Sequence, residues 1–409
     1  MQEGISGEGS PGVEADGIVI DLREIDTNLR GEMERIPFLD LAAQHRDLKD
    51  EILAEWSSIL DTAGFIGGQR VDEFEEQLAS YVGTSCAVGV ANGTDAITLA
   101  LKGLGIQPGD EVITAANTFF ATVEAIVHAG GVPVLADVDP TTATIDPNAI
   151  EEAITPRTRF IIPVHLYGQP ADMDPIMAIA DYHDLLVVED NAQALGAIYR
   201  GRRTGSIGHA GAVSFYPGKN LGATGDGGAV TTNSHEVARA IRMLANHGSL
   251  TKYNHVAVGY NSRLDAIHAS ALSIKLRHLD RWNAGRQQVA ETYAMRLSGL
   301  PIDLPEVGID RTHVYHLFVV RHHDRSYLQK SLDTAGVSTG LHYPTPIHLT
   351  GPFEYLGNGP GSFPISEDWA SRGLSLPMFP ELGVDSIDRI AGEVRALVAN
   401  LDVLKLDTA

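Results

Sequence analysis

Cysteine is nearly absent: the 409 residues hold one, Cys86. A disulfide within the chain is therefore excluded, and a thiolate metal site has no second ligand. Set in the apolar run Cys86-Ala87-Val88-Gly89-Val90, that thiol reads as a buried core group. Positive charge is scarce too: 30 Lys+Arg stand against 53 Asp+Glu, a formal −23. Such a surface repels phosphate backbones, and no basic cluster offsets it, so nucleic acid is not an expected partner. An anionic small molecule would need a local pocket of cations or N–H groups. No apolar run approaches the roughly 20 residues of a membrane-spanning helix. The first residues lack the basic-then-apolar order of a secretion signal. No membrane partner is implied, and the expected location is cytoplasmic. No internal repeat recurs.

What is present falls into three parts. Residues 1–35 are dominated by glycine, glutamate and serine and read as a flexible arm, with one short strand at Ile18-Val19-Ile20. From Ile36 the composition changes. Leu48, Ile52, Trp56 and Ile59 recur at helical spacing up to Gly64, and a second helix is expected over 72–81, stopped by Gly83. Apolar runs then appear at 86–90, 111–114, 132–136, 159–164, 185–189, 212–216 and 228–232. Amphipathic stretches at 95–104, 120–129, 147–154, 173–183 and 234–246 separate most of them. This alternation predicts an α/β fold with a mostly parallel seven-stranded sheet covered on both faces. The large domain is placed at 36–265 and a smaller α+β domain at 266–409. The latter begins with a long helix from Ala266 to beyond Arg281 and holds a strand near Leu317-Val320. Ligands of such sheets bind beyond the carboxyl ends of the strands.

Three motifs fall at that edge. Asn92-Gly93-Thr94-Asp95 opens a helix after a strand, where unpaired N–H groups favour a phosphate; a plain cap by Thr94 or Asp95 is the competing reading. Glu189-Asp190 ends a strongly apolar strand, where a buried carboxylate needs a cationic or hydrogen-bonding partner such as a pyridinium nitrogen. Asp190 would otherwise cap a following helix, and Gln193 would contact a ring oxygen or close a capping box. The third motif is Ser214-Phe215-Tyr216-Pro217-Gly218-Lys219-Asn220-Leu221-Gly222, in which one lysine follows a strand among small residues. A lysine serves as nucleophile only when desolvated or set near other cations; alone, it would read as a surface-loop residue. Together the three match the phosphate, ring nitrogen and aldehyde of pyridoxal phosphate (PLP). A dinucleotide-binding turn is the rival, but Gly89-Val90-Ala91-Asn92-Gly93 lacks G-x-G-x-x-G spacing.

With these residues, and with Gly259-Tyr260-Asn261-Ser262-Arg263-Leu264-Asp265, the chain resembles the DegT-type, fold type I family of PLP-dependent sugar aminotransferases from about Ile36 onward. It is most similar to members acting on nucleotide-linked 3-keto-6-deoxyhexoses. The resemblance implies that Lys219 carries PLP as a Schiff base and shuttles the proton, and that Asp190 pairs with the ring nitrogen. It implies that Gln193 contacts the phenolic-oxygen side, and that Gly93, Thr94, Asp95 and Ser214 hold the phosphate. Phe119 would stack on the ring and Ala192 lie on its other face. Asn261 would reach the cofactor phosphate of a partner chain, which implies a homodimer with shared sites. His165, His342 and Tyr343 are implied near the substrate, although each histidine also has a structural reading in a region that holds His313, His316, His322 and His323. No metal is implied. Asn191 and His268 depart from the commoner pattern of a small residue and glutamine.

The implied reaction moves the amino group of L-glutamate to a dTDP-linked keto-6-deoxy sugar at C3, in amino-sugar biosynthesis. A Gly- and Ala-rich composition is compatible with an antibiotic-sugar pathway. Amination at C4 is the near alternative. A pyridoxamine phosphate-dependent dehydratase would carry histidine in place of Lys219, and a non-catalytic PLP-binding regulator would have lost Lys219 or Asp190 or gained a DNA-binding module.

Overall fold

The computed structural model describes residues 35–406; the expected arm and its strand at 18–20 lie outside them. Three helices come first, α1 (Leu41–Arg46), α2 (Lys49–Thr62) and α3 (Gln69–Val82). Gly83 closes α3 with φ 88°, as glycine at a helix end readily does. At the end of α2 it is Ala63, not Gly64, that takes the left-handed position, with φ 51°.

Seven strands follow: β1 (Cys86–Val90), β2 (Glu111–Ala115), β3 (Val132–Ala136), β4 (Thr158–Ile162), β5 (Leu186–Asp190), β6 (Ala210–Ser214) and β7 (Gly228–Thr232). They form one sheet in the order β1-β7-β6-β5-β4-β2-β3. All neighbours are parallel except β7, which runs antiparallel to both β1 and β6. The expected α/β architecture is therefore present. Between strands lie α4 (Gly93–Gly103), α5 (Phe120–His128), α6 (Pro147–Ala153), α7 (Met173–His183) and, after β7, α8 (His235–Ala245).

Side chains alternate across the sheet as strand geometry requires. Val112, Phe160, Ile162 and Val188 pack with Leu99, Ile126 and Ile241 of α4, α5 and α8. Their neighbours Ile113, Ile161 and Val187 face Ile150, Met173 and Ile176 of α6 and α7. Continuous apolar runs are thus what a sheet buried on both faces needs. Cys86, at the start of β1, is half-buried instead of buried; its sulfur lies 3.2 Å from His235 Nδ1.

Both edges of the sheet are partly blocked. On β1 the Gly89 N–H donates to Glu75 Oε1 at 2.7 Å and the Ala91 N–H to Ser262 Oγ at 3.1 Å. Glu75 is buried and paired with Arg242. At the other edge β3 carries Pro133, which has no N–H to offer.

The single long helix expected from Ala266 is two: α9 (Ala266–Leu276) and α10 (Leu279–Leu297). α10 opens against the same clusters as α9, through Leu279 and Trp282, and turns to the C-terminal core only further along. On α9, Ala266, Ala269 and Leu272 pack with Phe74 and Leu78 of α3. On α10, Val289, Tyr293 and Leu297 pack into the C-terminal core. A turn with His278 N–H donating to Lys275 O joins them. The C-terminal core also takes α11 (Arg325–Thr334), the antiparallel pair β8 (Phe318–Arg321) and β9 (Gly373–Leu376), and α13 (Val384–Leu406), with α12 (Pro364–Arg372) leading into β9. Ile36 belongs to this core and pairs with Val337.

One close approach ties sheet to helix. A Cβ on Gly228, at the start of β7, would lie 2.3 Å from the carbonyl oxygen of Asn92. Gly228→Ala is expected to destabilise the protein by about 1–3 kcal/mol, as overpacking at unyielding backbone does; a urea unfolding midpoint equal to wild type would contradict this.

Candidate active site

The carboxyl ends of β1, β5 and β6 point the same way and carry the three motifs. After β1, Asn92 is extended and its side-chain oxygen accepts from the Asp95 N–H at 2.8 Å, capping α4. The cap is therefore Asn92, not Thr94 or Asp95. The N–H groups of Gly93 and Thr94 find no acceptor among the described residues and stand at the positive helix end. Ser214, ending β6, closes the other side: a Cβ on Gly93 would lie 2.6 Å from Ser214 Cβ. The free N–H groups of Gly93 and Thr94 and the Ser214 hydroxyl thus form one cradle of donors, while the Asp95 N–H is already taken by Asn92.

Asp190 ends β5, paired in register with Ala212 of β6. No helix follows, which removes its reading as a helix cap. Its side chain is 5 % exposed and accepts from Thr122 Oγ1 at 2.8 Å and from the Ala192 N–H at 3.2 Å. Thr118 in turn lies 2.8 Å from Thr122. Burial raises the Asp190 pKa, and the two hydrogen bonds and the charge of Lys219 only partly offset that.

Lys219 sits in a closed loop. Phe215 accepts from the Ala223 N–H and Tyr216 from the Lys219 N–H, both at 2.8 Å. Asn220 donates to Asn283 at 2.8 Å and to the Val314 carbonyl at 3.0 Å. Lys219 as a whole is half-buried, and its ammonium has no hydrogen-bond partner among the described residues. Burial pulls its pKa down to about 8, against the opposing pull of Asp190.

The wall opposite is aromatic and polar. Phe119 is 51 % exposed, with its ring 5.3 Å from that of Tyr343. Gln193 accepts from the Tyr167 N–H at 2.7 Å and donates to Tyr343 Oη at 3.0 Å. The half-buried Ala192 is fixed through Asp190. His342 lies 2.8 Å from Ser375 Oγ and stacks on Phe38. Burial and the Lys219 charge push its pKa down to about 4. Burial also raises the Tyr343 hydroxyl.

Two expectations fare differently. His165 does not line the cleft. It is 0 % exposed, its Nδ1 accepts from the Ala171 N–H at 3.0 Å, and its Nε2 lies 2.9 Å from Glu189. Both ring nitrogens are engaged inside the protein, so the ring has no free polar atom for a ligand; it orients Glu189 and lies near enough to Asp190 to act on its charge. Asn261 is exposed and accepts from Arg263 Nη2 at 2.6 Å, with no contact to the other predicted residues.

The sequence reading missed Thr122 and His316. Thr122 stands 68 residues from Asp190, beyond any local spacing. His316 carries a buried, unpartnered Nδ1, and burial and the Lys219 charge hold its pKa well below the usual range.

Several known proteins share this arrangement of sequence and fold. The DegT/DnrJ/EryC1/StrS aminotransferase family matches residues 46–395. The chain is 47% identical over 376 residues to the dTDP-3-amino-3,4,6-trideoxy-alpha-D-glucose transaminase of Streptomyces venezuelae, covering 91% of this chain and 99% of that one. It superposes on the crystal structure of S. venezuelae DesV in complex with a ketimine intermediate with TM-score 0.88 at 46% identity, covering 90% and 99% of the two chains. The Bacillus subtilis NtdA structure with bound cofactor PMP gives TM-score 0.84 at 34% identity, covering 90% and 86%.

Glu189 anchors the site from beneath. Besides His165 it accepts from the N–H groups of Gly205, Ile207 and Gly208, each at 2.7 Å. Burial alone would raise its pKa, but His165 and these donors hold it below the ordinary value of 4.5. A depressed folded-state pKa contributes stability that is complete above the unfolded value and is lost as pH falls through the folded one. Glu189→Gln is therefore expected to cost roughly 3 kcal/mol at pH 7, with the gap to wild type closing below about pH 4. Urea unfolding across that range measures it.

Proposed function

Because this chain belongs to the DegT/DnrJ/EryC1/StrS aminotransferase family, we propose that it transfers the amino group of L-glutamate, through PLP, to C3 of a dTDP-linked 3-keto-6-deoxy sugar. One observation carries the reading. At the end of β5 and in the loop that follows the adjacent β6, a buried carboxylate with a raised pKa and an amine drawn down to about 8 lie within electrostatic reach of each other, on the strands' carboxyl side with the free N–H groups of Gly93 and Thr94.

These residues fit the cofactor. Asp190 has only two neutral hydrogen-bond donors, and a protonated ring nitrogen supplies the cation it lacks. The free N–H groups of Gly93 and Thr94, with the Ser214 hydroxyl, suit a phosphate; Asp95, whose N–H caps onto Asn92, would act there only by shaping the helix start. Phe119 and Ala192 would flank the ring and Gln193 its oxygen side. Bound there, PLP supplies an electron sink for the carbon that loses its proton.

The protein's own part is to bind, orient and move protons. Lys219 would hold the cofactor covalently and, with its amine freed, take a proton from the glutamate Cα and deliver one to the sugar carbon. A pKa near 8 lets it do both near neutral pH. Asp190, held by Thr122, keeps the ring nitrogen protonated. The neutral His342 and Tyr343 face the acceptor from the C-terminal lobe. Exposed in one chain, Asn261 would meet the cofactor phosphate of a second copy, making the active unit a homodimer.

The reading is tested by incubating the PLP-loaded protein with glutamate and a panel of dTDP-3-keto- and dTDP-4-keto-6-deoxy sugars. 2-Oxoglutarate and a C3-amino sugar are expected by mass and NMR; product at C4 alone, or none, rejects it. Lys219→Ala should leave no PLP fixed to the protein by borohydride and no turnover. Asp190→Asn should retain the cofactor but lower kcat on the order of 10²- to 10⁴-fold.

A further inference from the structure

The molecule contains a second buried lysine that the reaction above does not use. Lys275, on α9, is 0 % exposed. Leu48, Ile52, Ile274 and Trp282 form the apolar cluster around this part of α9, and the Trp282 ring centroid lies 6.0 Å from the ammonium. Among the described residues no carboxylate pairs with it. Burial draws its pKa down to about 8.

Its partners are both neutral. One is the carbonyl of Gly222, to which Nζ donates a short hydrogen bond. The other is His45 Nε2, at 3.1 Å. The His45 Nδ1 lies 2.7 Å from the Leu41 carbonyl, a contact only an N–H can make, so Nε2 carries the lone pair and accepts from Lys275.

Gly222 ends the loop that carries Lys219. Its backbone is pressed against the loop's beginning: a Cβ there would lie 2.1 Å from the Pro217 carbonyl oxygen. Gly222 is buried, and without Lys275 its carbonyl would lose this donor in a place water does not reach. A buried ammonium without a counter-ion is expensive. Here it is spent on one backbone oxygen, three residues from Lys219.

We propose that Lys275 is a positioning residue for Lys219. Its ammonium ties the loop at Gly222 to α9 and, through His45, to α1, and so fixes the direction from which the Lys219 amine enters the recess. The functional side of this inference rests on Lys219 carrying PLP; the positional side does not.

The test compares wild type, Lys275→Met and Lys275→Arg. In cofactor-free protein, hydrogen exchange is read at the amides of Lys219 and Ala223, whose bonds close the loop. Lys275→Met should speed both about tenfold or more and leave the Ile161 and Val187 amides of the central strands unchanged. Added PLP should attach to Lys219 correspondingly more slowly, followed by the visible absorbance and borohydride fixation. The unfolding midpoint should not fall, since an apolar side chain replaces an uncompensated charge. Lys275→Arg, which keeps a cationic donor, should restore part of both rates. Wild-type exchange at Lys219 and Ala223 in Lys275→Met overturns the proposal, as does an equal loosening of the central strands. If Lys275→Met does not fold, His45→Phe, which removes one of the two acceptors, carries the same comparison. If PLP fails to attach to wild type, the cofactor reading falls, while the exchange rates still decide what Lys275 does.

Discussion

Everything at this site depends on desolvation acting on two opposite charges at once. The recess at the ends of β5 and β6 makes the carboxylate of Asp190 and the ammonium of Lys219 both less comfortable as ions. They are near enough to feel each other, yet no hydrogen bond joins them. A direct ion pair would have silenced both. Kept apart, the acid remains available to a cation and the amine to an electrophile. The surrounding architecture serves that separation: Thr122 of α5, met in turn by Thr118 just before the helix, holds the acid, while the closed loop from Phe215 to Ala223 holds the amine.

Beneath lies a second, fully internal layer. Glu189 points away from the cleft on the strand that ends in Asp190, and it gathers four donors from His165, Gly205, Ile207 and Gly208. Adjacent residues on one strand face opposite sides. The same dipeptide therefore supplies an acid for chemistry and another that fastens the chain running from β5 to β6. Its hydrogen bonds reach the segment just before β6, so the relative placement of Asp190 and Lys219 is set partly from the far side of the sheet.

Much of this was legible in the order of residues. Every strand of the main sheet announced itself as an apolar run, because both faces of the sheet are covered and no polar alternation was needed. Lys219 and Asp190 stood out because glycine-rich turns and a charged strand end are local signals. What failed was whatever depended on distant partners. Thr122 looked like any helix residue until folding brought it to Asp190. His165 shared its neighbourhood with the active residues in sequence, yet strand geometry turned it inward. The break between α9 and α10 left no mark of its own in the apolar spacing, since Leu276 and Leu279 pack into one cluster across it.

The partly blocked margins of the sheet have a consequence for the molecule's company. A bare outer strand is a template on which an unrelated extended segment can lengthen the sheet. Here Glu75 takes the outward N–H of Gly89 on β1, Ser262 that of Ala91 just after it, and a proline interrupts the row on β3. Both flanks are thereby less ready to grow by a further strand. Edge-to-edge stacking into fibres is correspondingly disfavoured.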